Sequence, residues 1–352
     1  GFIGLAAAME DVLDRVRRWT GERRFQLGAQ LIEGRTDPLV AARSLSDLAD
    51  AALAVIVPAV AADFARAHGC VAGGEMVVLA LGRYGGRALT HASDLDLVYL
   101  FTGSHEAVSD GPRPLAATLY FNRLAARLTA ALSVPTAAGA LYEVDTRLRP
   151  WGAKGMLALS VASFARYQAE EAESWEHMAL TRARVVFGQC GEASTAIAGA
   201  LDAPRDAETL RRAVAGMRAD VAAAKPAKGA YDVKLAPGGL VDLEFLVHFL
   251  QLRDRVAFGA DLGTTIAALA AAGRLPDGLA AAHDGLTRFL VLLRLVAPGS
   301  DVPEGFAPAV EAMLARGLGA ASFPVVAEQL LLAKAAVRLA FQAIVLTKGD
   351  LK

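Results

Sequence analysis

The chain has 352 residues, enough for roughly two domains and at least one sizeable core. Lys and Arg total 36 against 37 Asp and Glu, a net charge of −1, so no broad basic field marks nucleic acid as a partner. The longest apolar run, Ala51–Ala62, is 12 residues long and contains Pro58, short of the ~20 needed for a membrane span, and no signal peptide is expected.

Hydrophobic residues make up 54% of the chain, much of it alanine, which favours helix. Cys70 and Cys190 lack metal-ligand spacing and point to a reducing compartment such as the cytoplasm. The first residue is Gly1 rather than Met, which fits a fragment of a longer protein or a trimmed chain.

In chain order, residues 1–68 read as helical with a break at Gly34–Pro38. Ser44 and Asp47 have the spacing of a helix start, and His68-Gly69 that of a stop. The run 76–81, flanked by Gly73-Gly74 and Gly82, is too short for a helix and reads as a buried strand. Residues 95–101 predict a second strand, followed by a loop at Gly103–Gly111. A helix is expected at 113–132, with Leu115, Leu119, Leu124, Leu128 and Leu132 on one face. Residues 140–148 predict a third strand. Beyond 161 the chain reads as helical: 164–184 with Ser174 a candidate cap, then 206–224, 240–254 after an Ala236–Gly239 turn, 263–272, 278–296, 305–316 and 324–346. The expected organisation is a helical segment at 1–70, an α/β catalytic core at 71–160 and a helical domain at 161–352.

The chemistry concentrates in LALGRYGGRALTHASDLDLVYL, residues 79–100. Alternate residues of a strand share a face, so Asp94 and Asp96 present two carboxylates to one point, with Leu95 and Leu97 turned to the core. Such neighbours stay ionised together only around a cation, and hard oxygen ligands suit Mg²⁺. Gly82, Gly85 and Gly86 can expose backbone N–H groups to phosphate oxygens. A two-metal site needs a third acid, and Asp145 in the third strand is the candidate; it could also accept a hydroxyl proton. A D-x-D pair alone is common surface decoration; the preceding strand and glycine loop raise the functional reading. Arg147 and Arg149 follow Asp145 on the same strand face, as triphosphate ligands or as partners of carboxylates. Lys234 and the Gly238-Gly239 turn either reach the site or form a helix-capping turn. His91 reads as a solvated loop residue. Asp242 and Glu244 suit a helix start, and Trp175-Glu176-His177 suits packing.

The segment LGRYGGRALTHASDLDLVYLF resembles the signature of the nucleotidyltransferase superfamily that includes DNA polymerase beta. More narrowly, LYEVDTRLRPWGAKGML, YQAEEAESWEHMALTRARVVFG and YDVKLAPGGLVDLEFLVHFLQLR follow in the order of the glutamine synthetase adenylyltransferase family, over about residues 75–255. The wording resembles the C-terminal, adenylylating module of these bacterial regulators of nitrogen metabolism. The resemblance implies an α+β, polymerase-beta-like core with a helical-bundle domain, ATP as donor, a tyrosyl hydroxyl of glutamine synthetase as acceptor, and pyrophosphate as product. It implies Asp94 and Asp96 as metal ligands with Asp145 the third acid, and Gly82, Gly85 and Gly86 along the nucleotide phosphates; Arg83, Ser93, Arg147, Arg149 and Lys234 complete the expected nucleotide site, with two Mg²⁺ ions expected at the acids. Full-length relatives answer to a PII-type signal protein and glutamine. Three departures stand out: Arg83 for the usual Lys, Thr90-His91-Ala92 before Ser93, and Trp151 where a small residue is common. Rival readings are phosphorolytic deadenylylation releasing ADP and a catalytically silent nucleotide-binding module; neither a nucleic-acid nor a membrane partner is expected.

Overall fold

The computed structural model describes residues 2–299 and 301–346. Five strands form one small mixed sheet: β1 (Met76–Ala80), β2 (Leu95–Phe101), β3 (Val144–Asp145), β4 (Ala158–Ser160) and β5 (Arg184–Phe187). β2 is central. It pairs antiparallel with β1 on one flank; on the other it pairs parallel with β3 near its start and β4 near its end. β5 extends the sheet beyond β1. The fold class is α+β, as expected.

Alternation along β1 and β2 sorts their side chains between two cores. Val77, Leu79, Val98 and Leu100 join one core with residues from α5 (Val161–Glu170), α9 (Leu240–Asp254) and α11 (Leu279–Val296). Val78, Ala80, Leu97, Tyr99 and Phe101 join the other with α2 (Pro38–His68) and α4 (Ala117–Ser133). Both faces are covered, so β1 and the 97–101 stretch of β2 read as unbroken apolar runs rather than alternating ones, with Asp96 the exception near the start of β2. Phe101 stacks on Phe121 at 4.5 Å, and each fully buried side chain of this size contributes about 1.5–3 kcal/mol.

Several boundaries differ from expectation. The helix after the first break starts at Pro38, capped by Asp37, whose carboxylate accepts from the Leu39 N–H at 2.7 Å. Ser44 and Asp47 lie inside it. Pro38 at the first turn supplied the stronger start signal, because its fixed φ suits that position. Gly69 closes the helix as expected, with φ 70° and an N–H donated to Ala65 O. Among the described residues α2 is the one helix long and apolar enough to cross a membrane. In the fold its Leu45, Leu53, Ile56 and Phe64 cover the sheet.

In α4, Leu119 is 44% exposed; Tyr120 and Phe121 take the core positions instead. The expected strand at 140–148 is paired only at Val144–Asp145, and 147–150 turns away. The expected helix at 164–184 is broken into α5, α6 (Ser174–Leu180) and β5. Glu173, not Ser174, caps α6, in a reciprocal capping box with Glu176. β5 lies beyond the 71–160 segment expected to hold the core, yet it completes the sheet. The later helices α8 (Ala207–Ala224), α9, α10 (Leu262–Ala271), α11, α12 (Pro308–Gly317) and α13 (Phe323–Ile344) fall within a few residues of expectation, while α7 (Cys190–Asp202) had no separate expected bounds.

Candidate active site

The acids stand where the chain enters β2. Asp94 and Asp96 lie on the side of the strand shared with Val98 and Leu100, because Leu95 and Leu97 are drawn into the α2–α4 core. The β2–β3 register sets Asp96 directly beside Asp145. Carboxylate oxygens of Asp94, Asp96 and Asp145 all come within 4.8 Å of one another, a group that could hold a metal ion. Burial, then the charges of Asp94 and Asp145, push the Asp96 carboxyl up to about 6. That electrostatic strain is relieved by a cation, and an all-carboxylate donor set fits a hard divalent one. A side-chain hydrogen bond from Arg147 pulls Asp145 the opposite way, below the usual carboxylate range.

The glycines have separate tasks. Gly82 has φ +54°, and a Cβ there would lie 2.1 Å from Asp96 Oδ2, so only glycine lets the chain after β1 approach the acid. The Leu81 N–H also donates to Asp96 O at 3.0 Å. Gly85 and Gly86 are buried against Arg182: added Cβ atoms would meet its carbonyl oxygen at 2.1 Å and its guanidinium at 2.4 Å. Tyr84, between them and Gly82, is fully buried and donates to Asp50 Oδ1 at 2.7 Å. Arg184 of β5 closes this network on Asp50 at 2.8 Å. Thus α2, the glycine turn and β5 are tied together behind the site.

A group of cations stands on the β1 side of the acids. Burial holds the Arg83 guanidinium down to about 10; Glu244 opposes this, while Arg182 and Arg294 reinforce it. Two of its nitrogens, Nε and Nη2, are buried without a protein partner. Arg182 donates to Glu244 Oε1 at 2.8 Å and lines the same small cavity as Arg83. Lys234 keeps solvent access at its surface but is enclosed enough by protein, and by Arg83, that its ammonium sits below the ordinary lysine value; Glu244 and Asp94 pull it back. Asp232 shapes the turn that presents it, accepting from the N–H groups of Lys234 at 3.0 Å and Leu235 at 2.9 Å.

Other expected site residues have local partners. Arg147 is not on a strand face; it folds back and donates from Nε to both Asp145 oxygens at 3.0 and 2.9 Å. Arg149 braces the following loop, donating to Thr146 O at 2.8 Å and Gly155 O at 3.2 Å. Ser93 ties the turn before the acids, accepting from the Thr90 N–H at 3.0 Å. His91 is half-buried rather than solvated, its Nε2 at 3.0 Å from Arg24 O. Gly238, at φ +79°, is pressed against α13, where a Cβ would lie 1.9 Å from Lys334 O. Asp242 is buried in a pair with Arg218 and accepts from the Gly238 N–H at 2.6 Å. Glu176 is buried under Tyr167, as packing predicts, though Trp175 beside it is 38% exposed. Arg182 and Arg294 were not singled out in the sequence. Arg182 meets Glu244 62 residues away, so no local spacing marks it; Arg294 donates to Ala297 O at 3.1 Å, and only the packing of its helix brings its charge near Arg83.

Comparison with known proteins places the chain in a family. The profile of the family described as glutamate-ammonia ligase adenylyltransferase matches residues 3–198. A bifunctional glutamine synthetase adenylyltransferase/adenylyl-removing enzyme of Mesorhizobium japonicum is 44% identical over 256 residues, 72% of this chain and 26% of that protein. The protein of the same description from Brucella suis biovar 1 is 39% identical over 354 aligned positions, 98% of this chain and 36% of that protein. The one from Rhizobium meliloti is 44% identical over 255 residues, 71% of this chain. The chain therefore spans between a quarter and somewhat over a third of the length of these curated relatives. With a profile match over more than half its residues and a 39% identical relative aligned along almost all of it, the chain belongs to the glutamate-ammonia ligase adenylyltransferase family.

Proposed function

We propose that this chain transfers AMP from ATP to a tyrosine hydroxyl of glutamine synthetase and releases pyrophosphate, on a nucleotidyltransferase core of the polymerase-beta kind. The observation that carries the reading is the convergence of Asp94, Asp96 and Asp145 beside a partly unpaired cationic group. The three carboxylates would hold Mg²⁺, two ions in the fullest reading. Bound there, the metal supplies Lewis-acid stabilisation of the phosphates and of the attacking oxygen.

The residues of the chain supply the rest. Asp145, at the sheet-edge side of the acids, accepts the proton of the entering tyrosyl hydroxyl, whose ordinary pKa is about 10. Arg83 and Lys234, on the β1 side, offer the unsatisfied donors and charge that fit the leaving pyrophosphate. Gly82 admits the phosphate chain next to Asp96, where any side chain would intrude. Arg147 must leave Asp145 before that carboxylate can serve either a metal or the hydroxyl.

Quantifying pyrophosphate released from ATP and unmodified glutamine synthetase tests the reading. Synthetase-dependent release supports it. ADP formed from adenylylated synthetase and phosphate, without pyrophosphate release in the forward direction, assigns the adenylyl-removing reaction named for the relatives instead.

A further inference from the structure

We propose that Trp151 receives the tyrosine-bearing segment of the acceptor protein, an inference that rests on the adenylyl-transfer reading above. In-line displacement places the entering and leaving oxygens on opposite sides of the reacting phosphorus. Of the cations suited to the leaving group, Arg83 follows β1, on one flank of β2, and Lys234, from the loop before α9, lies close enough to feel its charge. β3 and Asp145 lie on the other flank, so the acceptor enters from the sheet edge.

At that edge the chain swells outward. β3 and β4 lie one after the other along β2, and residues 146–157 bulge out between them. Trp151 is the sixth residue after Asp145, so even an extended chain keeps it within about 20 Å. Successive turns shorten this span, with the Arg149 N–H donating to Thr146 O at 3.3 Å and the Gly152 N–H to Arg149 O at 2.8 Å.

Trp151 is held in an unusual way. Its backbone is left-handed, φ 57° and ψ 13°, which costs a bulky L-residue roughly 1–2 kcal/mol. Its indole Nε1 donates to Glu171 Oε2 at 3.0 Å, and its ring meets Tyr167 edge to face at 4.6 Å. Tyr167 is fixed in turn by Glu176 at 2.8 Å, and Arg149 staples the loop beneath. All this fixes the ring while leaving Trp151 46% exposed, so burial does not repay the strain. Met156, on the same loop, is 54% exposed. A rigid, half-exposed indole is among the side chains enriched at the anchoring centres of protein interfaces, and a tyrosine ring is a suitable edge-to-face companion.

The test compares wild type with Trp151→Phe, Trp151→Ala and Trp151→Gly. The dissociation constant for glutamine synthetase is measured with a non-hydrolysable ATP analogue present, alongside ATP-analogue affinity alone. Ala and Gly should weaken synthetase binding roughly tenfold and Phe less, with nucleotide affinity within about twofold of wild type. The Gly variant keeps the left-handed turn without strain, so it separates loss of the ring from collapse of the loop. Wild-type binding retained in Gly overturns the inference. So does loss of nucleotide affinity with synthetase binding unchanged, which would place the ring on adenine. No synthetase binding by wild type overturns it too. Label transfer by wild type judges the adenylyl-transfer reading separately: Trp151-dependent binding without transfer counts against forward transfer and supports only synthetase docking at Trp151.

Discussion

Gly82 and Asp96 approach so closely that a Cβ on Gly82 would lie 2.1 Å from the Asp96 carboxylate oxygen. Gly82→Ala must therefore either displace the acid or abandon φ +54°. Misplacement of a reacting group by about 1 Å costs roughly a hundredfold in rate. Activity should fall by about that factor and divalent-metal affinity by about tenfold, while the far-ultraviolet circular dichroism spectrum stays unchanged. An alanine variant with normal metal affinity would show that the contact does not constrain Asp96.

Asp96 gives a pH signature in the metal-free protein. Burial, then Asp94 and Asp145, raise its folded pKa to about 6 from an ordinary 3.8. The fold thus favours the protonated form: the contribution to stability is fully present below about 3.8 and is lost as pH rises through about 6. Asp96→Asn should raise the melting temperature at pH 7.5, by linkage up to roughly 3 kcal/mol, and make little difference at pH 4. Added Mg²⁺ should stabilise wild type and not the variant. Calorimetric scans at the two pH values, with and without the ion, decide this; equal melting of both proteins throughout would remove the repulsion argument.

Arg147 competes for Asp145, donating to both of its oxygens. Arg147→Ala should strengthen Mn²⁺ binding several-fold in titration calorimetry, because no guanidinium has to be displaced. Weaker binding in the variant would mean that Arg147 orients the carboxylate for the metal rather than blocking it.

Glu244 is the counter-ion of the cationic group. Burial opposes its ionisation, but Arg182, Arg83, His248 and Lys234 together hold its carboxyl below the usual range. Its contribution is present above the ordinary carboxylate pKa and is lost as pH falls through the lowered one. Glu244→Gln leaves Arg182 and Arg83 buried without their anion, at a cost of about 3 kcal/mol. Urea denaturation at pH 7 measures this, and the deficit should shrink on acidification. A deficit independent of pH would point to packing alone.

The acids were legible because strand alternation places Asp94 and Asp96 on one face, and because Asp145 could lie on a neighbouring strand. The register that sets Asp96 beside Asp145 bears this out. The two central strands were legible because both faces are buried, leaving an apolar run along β1 and another over 97–101 of β2 after Asp96. β5 was not: Arg184–Phe187 follows a helical pattern without a glycine or proline break, and only its pairing with β1 makes it a strand. The pairs Arg182–Glu244 and Arg184–Asp50 bridge 62 and 134 residues, so no local spacing could show them. Arg147 and Arg149 were misplaced because their alternation with Asp145 suggested a longer strand, whereas the chain turns directly after the acid.

The most direct test of the account is transfer of label from α-labelled ATP, with Mg²⁺, to unmodified glutamine synthetase, comparing wild type with Asp94→Asn/Asp96→Asn. Wild type should label a synthetase tyrosine and the double variant should give none above background, both proteins melting cooperatively. Equal labelling by the two would contradict the assignment of the acids. Labelling by neither, with wild type folded and bound to synthetase, would contradict the assignment of forward adenylyl transfer to this chain.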